Sequence, residues 1–176
     1  MALAVIPARG GSKRCPGKNM KDFRGKPLIL WTIEAAKKAK GLEMIVVSTD
    51  DLGVADLASP HVPVVMRPTE LGSDTATNED VIRHVLTLFR QWEWVVLLQP
   101  TSPLRTAEDI DACLRIAKNG DGCVSYRESN GTKNGAVYVA RSSWLAENDF
   151  SVPFRNFYVM PDERSLDIDH PEEFLL

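Results

Sequence analysis

Two stretches of this chain are apolar throughout, Leu3-Ala4-Val5-Ile6 and Trp94-Val95-Val96-Leu97-Leu98. A strand with one face in water alternates polar and apolar residues, whereas a strand covered on both faces does not. Two such runs, each separated from the next strand by a helical pattern, call for a mostly parallel sheet with helices on both sides. The helical patterns are present. Leu28, Trp31, Ala35 and Ala39 recur at helical spacing, with Pro27 where a first turn tolerates proline and Lys40-Gly41 as a cationic end and glycine stop. Glu79–Trp92 presents Val81, Val85, Leu88 and Phe89, with Thr77 or Asn78 as its cap. Ala107–Asn119 turns Ile110, Leu114 and Ala117 inward. Met44–Ser48, Val62–Met66, Gly122–Tyr126, Gly135–Ala140 and Phe157–Met160 read as further strands, and Leu166–Asp169 as a short extended segment. Asp50, just past a strand, is expected to cap a short helix over Leu52–Ala58, with ligand contact as the alternative. The fold class expected is α/β, three layers around a mostly parallel sheet, and 176 residues fit one domain spanning 1–176.

The first apolar strand runs into Pro7-Ala8-Arg9-Gly10-Gly11-Ser12-Lys13-Arg14-Cys15-Pro16-Gly17-Lys18-Asn19. Glycines let backbone N–H groups approach a ligand, and the adjacent Arg and Lys offset negative charge, a combination suited to polyphosphate. The stretch matches neither the P-loop nor the dinucleotide fingerprint. Arg14 is expected in solvent. Net charge of −3 makes this loop a local cationic spot on a mildly acidic protein. That argues against nucleic acid as a partner and for a small anion. No apolar run reaches membrane-span length. Cys15, Cys113 and Cys123 show no metal spacing, and an odd, scattered set fits a reducing, cytoplasmic location, with Cys15 as packing.

The P-A-R-G-G-S-K…K-N pattern resembles the cytidylyltransferases that activate sialic acid and related nine-carbon acidic sugars. Arg67-Pro68-Thr69-Glu70-Leu71, Leu98-Gln99-Pro100-Thr101-Ser102-Pro103-Leu104-Arg105 and Ser165-Leu166-Asp167-Ile168-Asp169 agree with the same family, in the same order. The resemblance implies a Rossmann-like nucleotidyltransferase fold and transfer of CMP from CTP to the sugar's anomeric hydroxyl, with release of pyrophosphate. It implies nucleotide contacts from Ala8, Arg9, Gly10, Gly11, Ser12, Lys13, Lys18, Asn19, Arg67, Thr77 and Asn78, and sugar contacts from Gln99, Thr101 and Ser102. It makes Arg9, Lys13, Lys18 and Asp167 catalytic. Ser102 and Arg105 have bracing of the loop as their alternative. Asp167 and Asp169, two apart in an extended segment, would share a face with Cα atoms about 6.5–7 Å apart and could hold Mg²⁺ between them. Solvated or helix-capping acids are the plain alternative for that pair.

The chain departs from the family in one place. Members carry a longer insertion, a dimerisation arm, where this sequence has only Arg127–Asn134. A monomer, or a dimer through another surface, is therefore expected, with a more open sugar pocket. The alternatives are transfer to another sugar or from another base, and a nucleotide-binding module without transfer.

Overall fold

A computed structural model describes residues 1–176. In chain order it forms β1 (Ala2–Pro7), the two-residue pair β2 (Asp22–Phe23) and β3 (Lys26–Pro27), α1 (Leu28–Lys38), β4 (Met44–Thr49), α2 (Leu52–Ala58), β5 (Val64–Met66), α3 (Asn78–Leu88), β6 (Trp94–Leu97), α4 (Ala107–Ala117), β7 (Gly122–Arg127), β8 (Lys133–Arg141), α5 (Ser142–Leu145) and β9 (Phe157–Met160). Seven strands make one sheet in the order β5-β4-β1-β6-β8-β7-β9. β8 runs antiparallel to β6 and β7, and every other pairing is parallel.

The two faces of β1 show why its sequence does not alternate. Ala2, Ala4 and Ile6 pack with Ile29 and Ile33 of α1, Val54 of α2 and Ile110 and Leu114 of α4. Leu3 and Val5 pack on the opposite side with Val81, Ile82 and Val85 of α3 and Leu145 of α5. All five β1 residues from Ala2 to Ile6 are buried. The chain leaves β1 for β4 on one side and returns to β6 on the other. Strand order reverses at β1, and the C-terminal ends of β1 and β6 frame a crevice there, where open α/β sheets bind ligands.

Local chemistry sets the helix starts. Thr77 and Asp80 form a reciprocal capping box at α3, and Thr106 and Asp109 do so at α4. α3 ends at Leu88 rather than Trp92, because Phe89 leaves helical geometry (φ −118°, ψ 88°) and Gln91 adopts a positive φ of 81°. Pro27 caps α1 from outside the helix and α4 stops at Ala117. Asp50 does not cap α2. Asp51 does, its side chain accepting the Val54 N–H at 3.0 Å, which leaves Asp50 free for other partners. The last element is a single 3₁₀ turn, Pro171–Leu175. β7 and β8 are joined directly, with Gly131 (φ 64°) in the turn and Gly135 (φ 74°) two residues into β8.

Candidate active site

A cavity of about 310 Å³ opens at the crevice. Its wall is built from the loop after β1 (Pro7, Arg9, Ser12, Lys18, Asn19), the segment between β5 and α3 (Arg67, Leu71, Ser73, Asp74, Ala76, Thr77), the first turns of α3 (Asn78, Val81) and the loop after β6 (Gln99, Pro100, Thr101). Nine of the residues singled out from sequence thus meet on one wall: Arg9, Ser12, Lys18, Asn19, Arg67, Thr77, Asn78, Gln99 and Thr101.

The loop after β1 is shaped by close approach. A Cβ on Gly10 would lie 2.5 Å from Asp51 Oδ2, so only glycine fits, and the Gly10 N–H donates to Asp50 Oδ1 at 3.2 Å. Gly17 sits at φ 65°. Gly11 is under neither constraint. Asn19 is buried and its Nδ2 donates to the Arg9 carbonyl at 3.0 Å, so this side chain supports the loop from beneath. Ala8 is fully buried. Cys15 is buried too, as a packing residue would be.

The loop's cations are paired in two groups. Arg9 Nη1 lies 2.9 Å from Asp74 Oδ1, and Lys13, off the cavity wall and 81% exposed, pairs with the same carboxylate. Lys13 and then Arg9 hold the Asp74 carboxyl below its ordinary range. On the other side, Lys18 Nζ donates to the Ile168 carbonyl at 3.0 Å and pairs with Asp169 Oδ1 at 3.2 Å. Arg14 is exposed, as the sequence suggests. It also makes an ion pair, its Nη1 reaching Asp169 Oδ2 at 3.1 Å. Burial pushes the Asp169 carboxyl up, but Lys18 and Arg14 together outweigh it and hold it low.

Asp167 has the opposite environment. Burial raises its pKa, with a Thr101 hydrogen bond opposing and the Asp169 charge adding to the rise. Its Oδ1 is buried without a hydrogen-bond partner. Carboxylate oxygens are what Mg²⁺ takes alongside phosphate oxygens, and neither Asp167 nor Asp169 is on the cavity wall. No group of three or more His, Cys, Asp or Glu forms a protein-only cage, and Mg²⁺ shared with phosphate needs none.

Several contacts fix the segment that carries these acids. The Ile168 N–H donates to the Thr101 carbonyl at 2.7 Å, and Arg127 Nη2 donates to the Ser165 carbonyl at 2.6 Å. Arg164 makes a two-point contact with the fully buried Asp109 (Nε 3.0 Å, Nη2 2.8 Å). Gln99 is placed in the same way. Arg105, buried and lowered by that burial to about 9, donates to the Gln99 carbonyl and to Thr32 Oγ1 at 2.8 Å. Arg105 therefore braces the loop. Ser102 does likewise: it is fully buried, and its hydroxyl donates to the Asn134 carbonyl at 3.3 Å, away from the cavity wall.

One residue, Gly135, and one pairing, Asp50 with Arg67, were not evident from the sequence. A Cβ on Gly135 would lie 2.8 Å from Gln99 Oε1 and 3.4 Å from Asp167 Oδ2, so glycine there keeps space between the amide and the acid. The Asn134-Gly135 dipeptide at the head of β8 was its only signal. Asp50 pairs with Arg67 at 3.4 Å, and nothing in the linear sequence ties these two together.

The fold and this crevice define a nucleotidyltransferase. The backbone superposes on CMP:2-keto-3-deoxy-manno-octonic acid synthetase complexed with CTP with a TM-score of 0.78 at 18% identity, covering 97% of this chain and 94% of that one. The sequence profile described as cytidylyltransferase matches residues 3–159, and the chain belongs to that family. It is 36% identical to CMP-N,N'-diacetyllegionaminic acid synthase of Legionella pneumophila, over 99% of this chain and 93% of that protein. It is 29% identical to N-acylneuraminate cytidylyltransferase of Escherichia coli, again over 99% of this chain but only 50% of that protein, so the chain spans about half of the latter's length. The Legionella alignment runs over 219 positions, more than the 176 residues of this chain, so that relative carries residues this one lacks. No helix is long and apolar enough to cross a membrane.

Proposed function

We propose that this chain transfers CMP from CTP to the anomeric hydroxyl of a sialic-acid-like nine-carbon keto-sugar acid and releases pyrophosphate. The observation that carries the reading is the meeting of Arg9, Lys18, Arg67, Gln99 and Thr101 on one cavity wall. The family membership and the Legionella relative supply the substrate class.

In this mechanism the hydroxyl oxygen attacks the α-phosphorus and gives up its proton to water, the bond from that phosphorus to the β-bridging oxygen breaks, and the leaving pyrophosphate takes the electron pair. Arg9 and Lys13, with the Ala8, Gly10, Gly11 and Ser12 backbone, hold the β- and γ-phosphates and offset the charge that grows on them as the bond breaks. To do so they exchange Asp74 for the nucleotide. Lys18 supplies positive charge between the phosphates and Asp169, and Asn19 keeps the loop in its binding shape. Arg67 offers donors to the N3 and O2 acceptors of cytosine, and the Thr77-Asn78 turn lies on the ribose side. Gln99, able to donate and accept at once, orients the sugar's hydroxyl groups, and Thr101 lines the same side. Asp167 and Asp169 would hold Mg²⁺, which neutralises phosphate charge and favours in-line displacement. The reaction runs in the cytoplasm, consistent with three free, buried cysteines. The short β7–β8 turn leaves the site within one chain, as a monomer or as a dimer through another surface.

Pyrophosphate release with CTP, Mg²⁺ and a panel of nine-carbon acidic sugars tests the reading, with UTP, ATP and GTP as controls. CTP-dependent release with one sugar is the expected result. CTP binding without release from any sugar would favour a nucleotide-binding module, the reading that the residues missing relative to the Legionella protein support.

A further inference from the structure

Asp50 stands at the junction of three segments that line the cavity. Its Oδ1 accepts the Gly10 N–H of the phosphate loop at 3.2 Å and pairs with Arg67 Nη2 at 3.4 Å. Its other oxygen faces the turn at Gly72, so closely that a Cβ on Gly72 would lie 2.1 Å away. The flanking residues of that turn, Leu71 and Ser73, line the cavity directly. Arg67 is almost fully buried and faces the cavity, and its Nε has no hydrogen-bond partner. Burial works against its charge, Arg9 adds repulsion, and Asp50 is the counter-charge that opposes both. The carboxylate does not line the cavity itself, so any effect it has on ligand passes through Arg67 and the two turns.

We propose that Asp50 is a positioning residue that sets base selectivity, holding the Arg67 guanidinium in one orientation at the cavity wall. This rests on the reading of Arg67 as the cytosine contact. Cytosine presents two adjacent acceptors, N3 and O2, whereas uracil carries a hydrogen at N3. A guanidinium fixed in one orientation therefore meets a matching edge in one base and a donor against a donor in the other. A buried site built to pair with one edge discriminates strongly against its mismatch. A guanidinium without its anchor turns toward phosphate or water and loses that discrimination.

The test is direct titration of CTP and UTP binding in the presence of Mg²⁺, together with turnover, on wild type, Asp50→Asn and Gly72→Ala. Asp50→Asn keeps the side chain's shape and an acceptor for Gly10, and removes only the charge that holds Arg67. Gly72→Ala leaves every charge in place but drives a methyl group into the Asp50 carboxylate, on a surface 3₁₀ turn whose alteration leaves the core untouched. Both variants are expected to lower the CTP-to-UTP affinity ratio by about tenfold or more. Combining Asp50→Asn with Arg67→Ala is expected to add little beyond Arg67→Ala alone, because the two act through one contact. Unchanged selectivity in Gly72→Ala, or fully additive losses in the double variant, would overturn the proposal. So would a wild type that binds both nucleotides equally. A wild type that binds CTP selectively yet releases no pyrophosphate with any sugar would sink the transfer reading and leave this one standing.

Discussion

Replacing Asp109 with asparagine perturbs the site from a distance. Asp109 is fully buried at the start of α4, where it accepts from Arg164 at two points, from the Tyr158 hydroxyl at 2.9 Å and from the Thr106 N–H at 2.9 Å. Arg164 directly precedes the Ser165–Asp169 segment. Breaking a buried ion pair typically costs about 3–5 kcal/mol. Here the Arg164 side chain stays 30% exposed and regains water, and asparagine keeps one acceptor, so the cost falls to about 2–3 kcal/mol. For a domain of this size that corresponds to a melting temperature lower by about 5–10 °C. The pH dependence separates charge from shape. Burial alone would raise the Asp109 carboxyl, but Arg164, Thr106 and Tyr158 outweigh it and hold it below its ordinary range. Its stabilisation is therefore complete above the ordinary carboxylate range and is lost as pH falls through the lowered folded-state value. Thermal melts across pH should show the full gap between wild type and variant at pH 7 and a shrinking gap in strong acid. Equal melting temperatures at neutral pH would refute the assignment. A gap that persists unchanged in acid would put the effect in packing rather than in the ion pair.

Two further outcomes follow from the paired charges. Asp74→Asn releases Arg9 and Lys13, so CTP should bind more tightly, by less than about tenfold because exposed ion pairs store little free energy; calorimetric titration showing weaker binding would mean that Asp74 contacts the ligand itself. Asp167→Asn should abolish transfer, by at least about 100-fold, yet raise the melting temperature at pH 7 without Mg²⁺. Burial lifts the Asp167 pKa, so its ionised form destabilises the fold above the ordinary carboxylate range and has no effect below it, and wild type and variant should converge in acid. A variant that melts lower than wild type at pH 7 would contradict that environment.

The layered α/β fold was readable because hydrophobic pattern reports burial, and burial on both faces permits few architectures. β1 and β6 are apolar throughout, and both are covered on two sides. The helix starts were readable for the same kind of local reason: Thr77 with Asp80 and Thr106 with Asp109 satisfy backbone donors three residues away. Adjacent positions competing for one role were not separable. Asp50 and Asp51 are chemically identical, and only the path of the chain aims Asp51 at Val54 and Asp50 at Arg67. Ser102 lies within a ligand loop in sequence but points into the core.

Residue types alone, a glycine-rich cationic loop after a buried strand, pointed to phosphate, and the family pattern around Asp167-Ile168-Asp169 said where else the chemistry would be sought. Which charges face which was decided by tertiary structure. Asp169 meets Lys18 and Arg14 across about 150 residues, while Asp167, two positions away, keeps one buried oxygen without a donor. The reason is physical: a side chain's charge is set by its type, but its solvation and its partners are set by segments that approach only when the sheet closes.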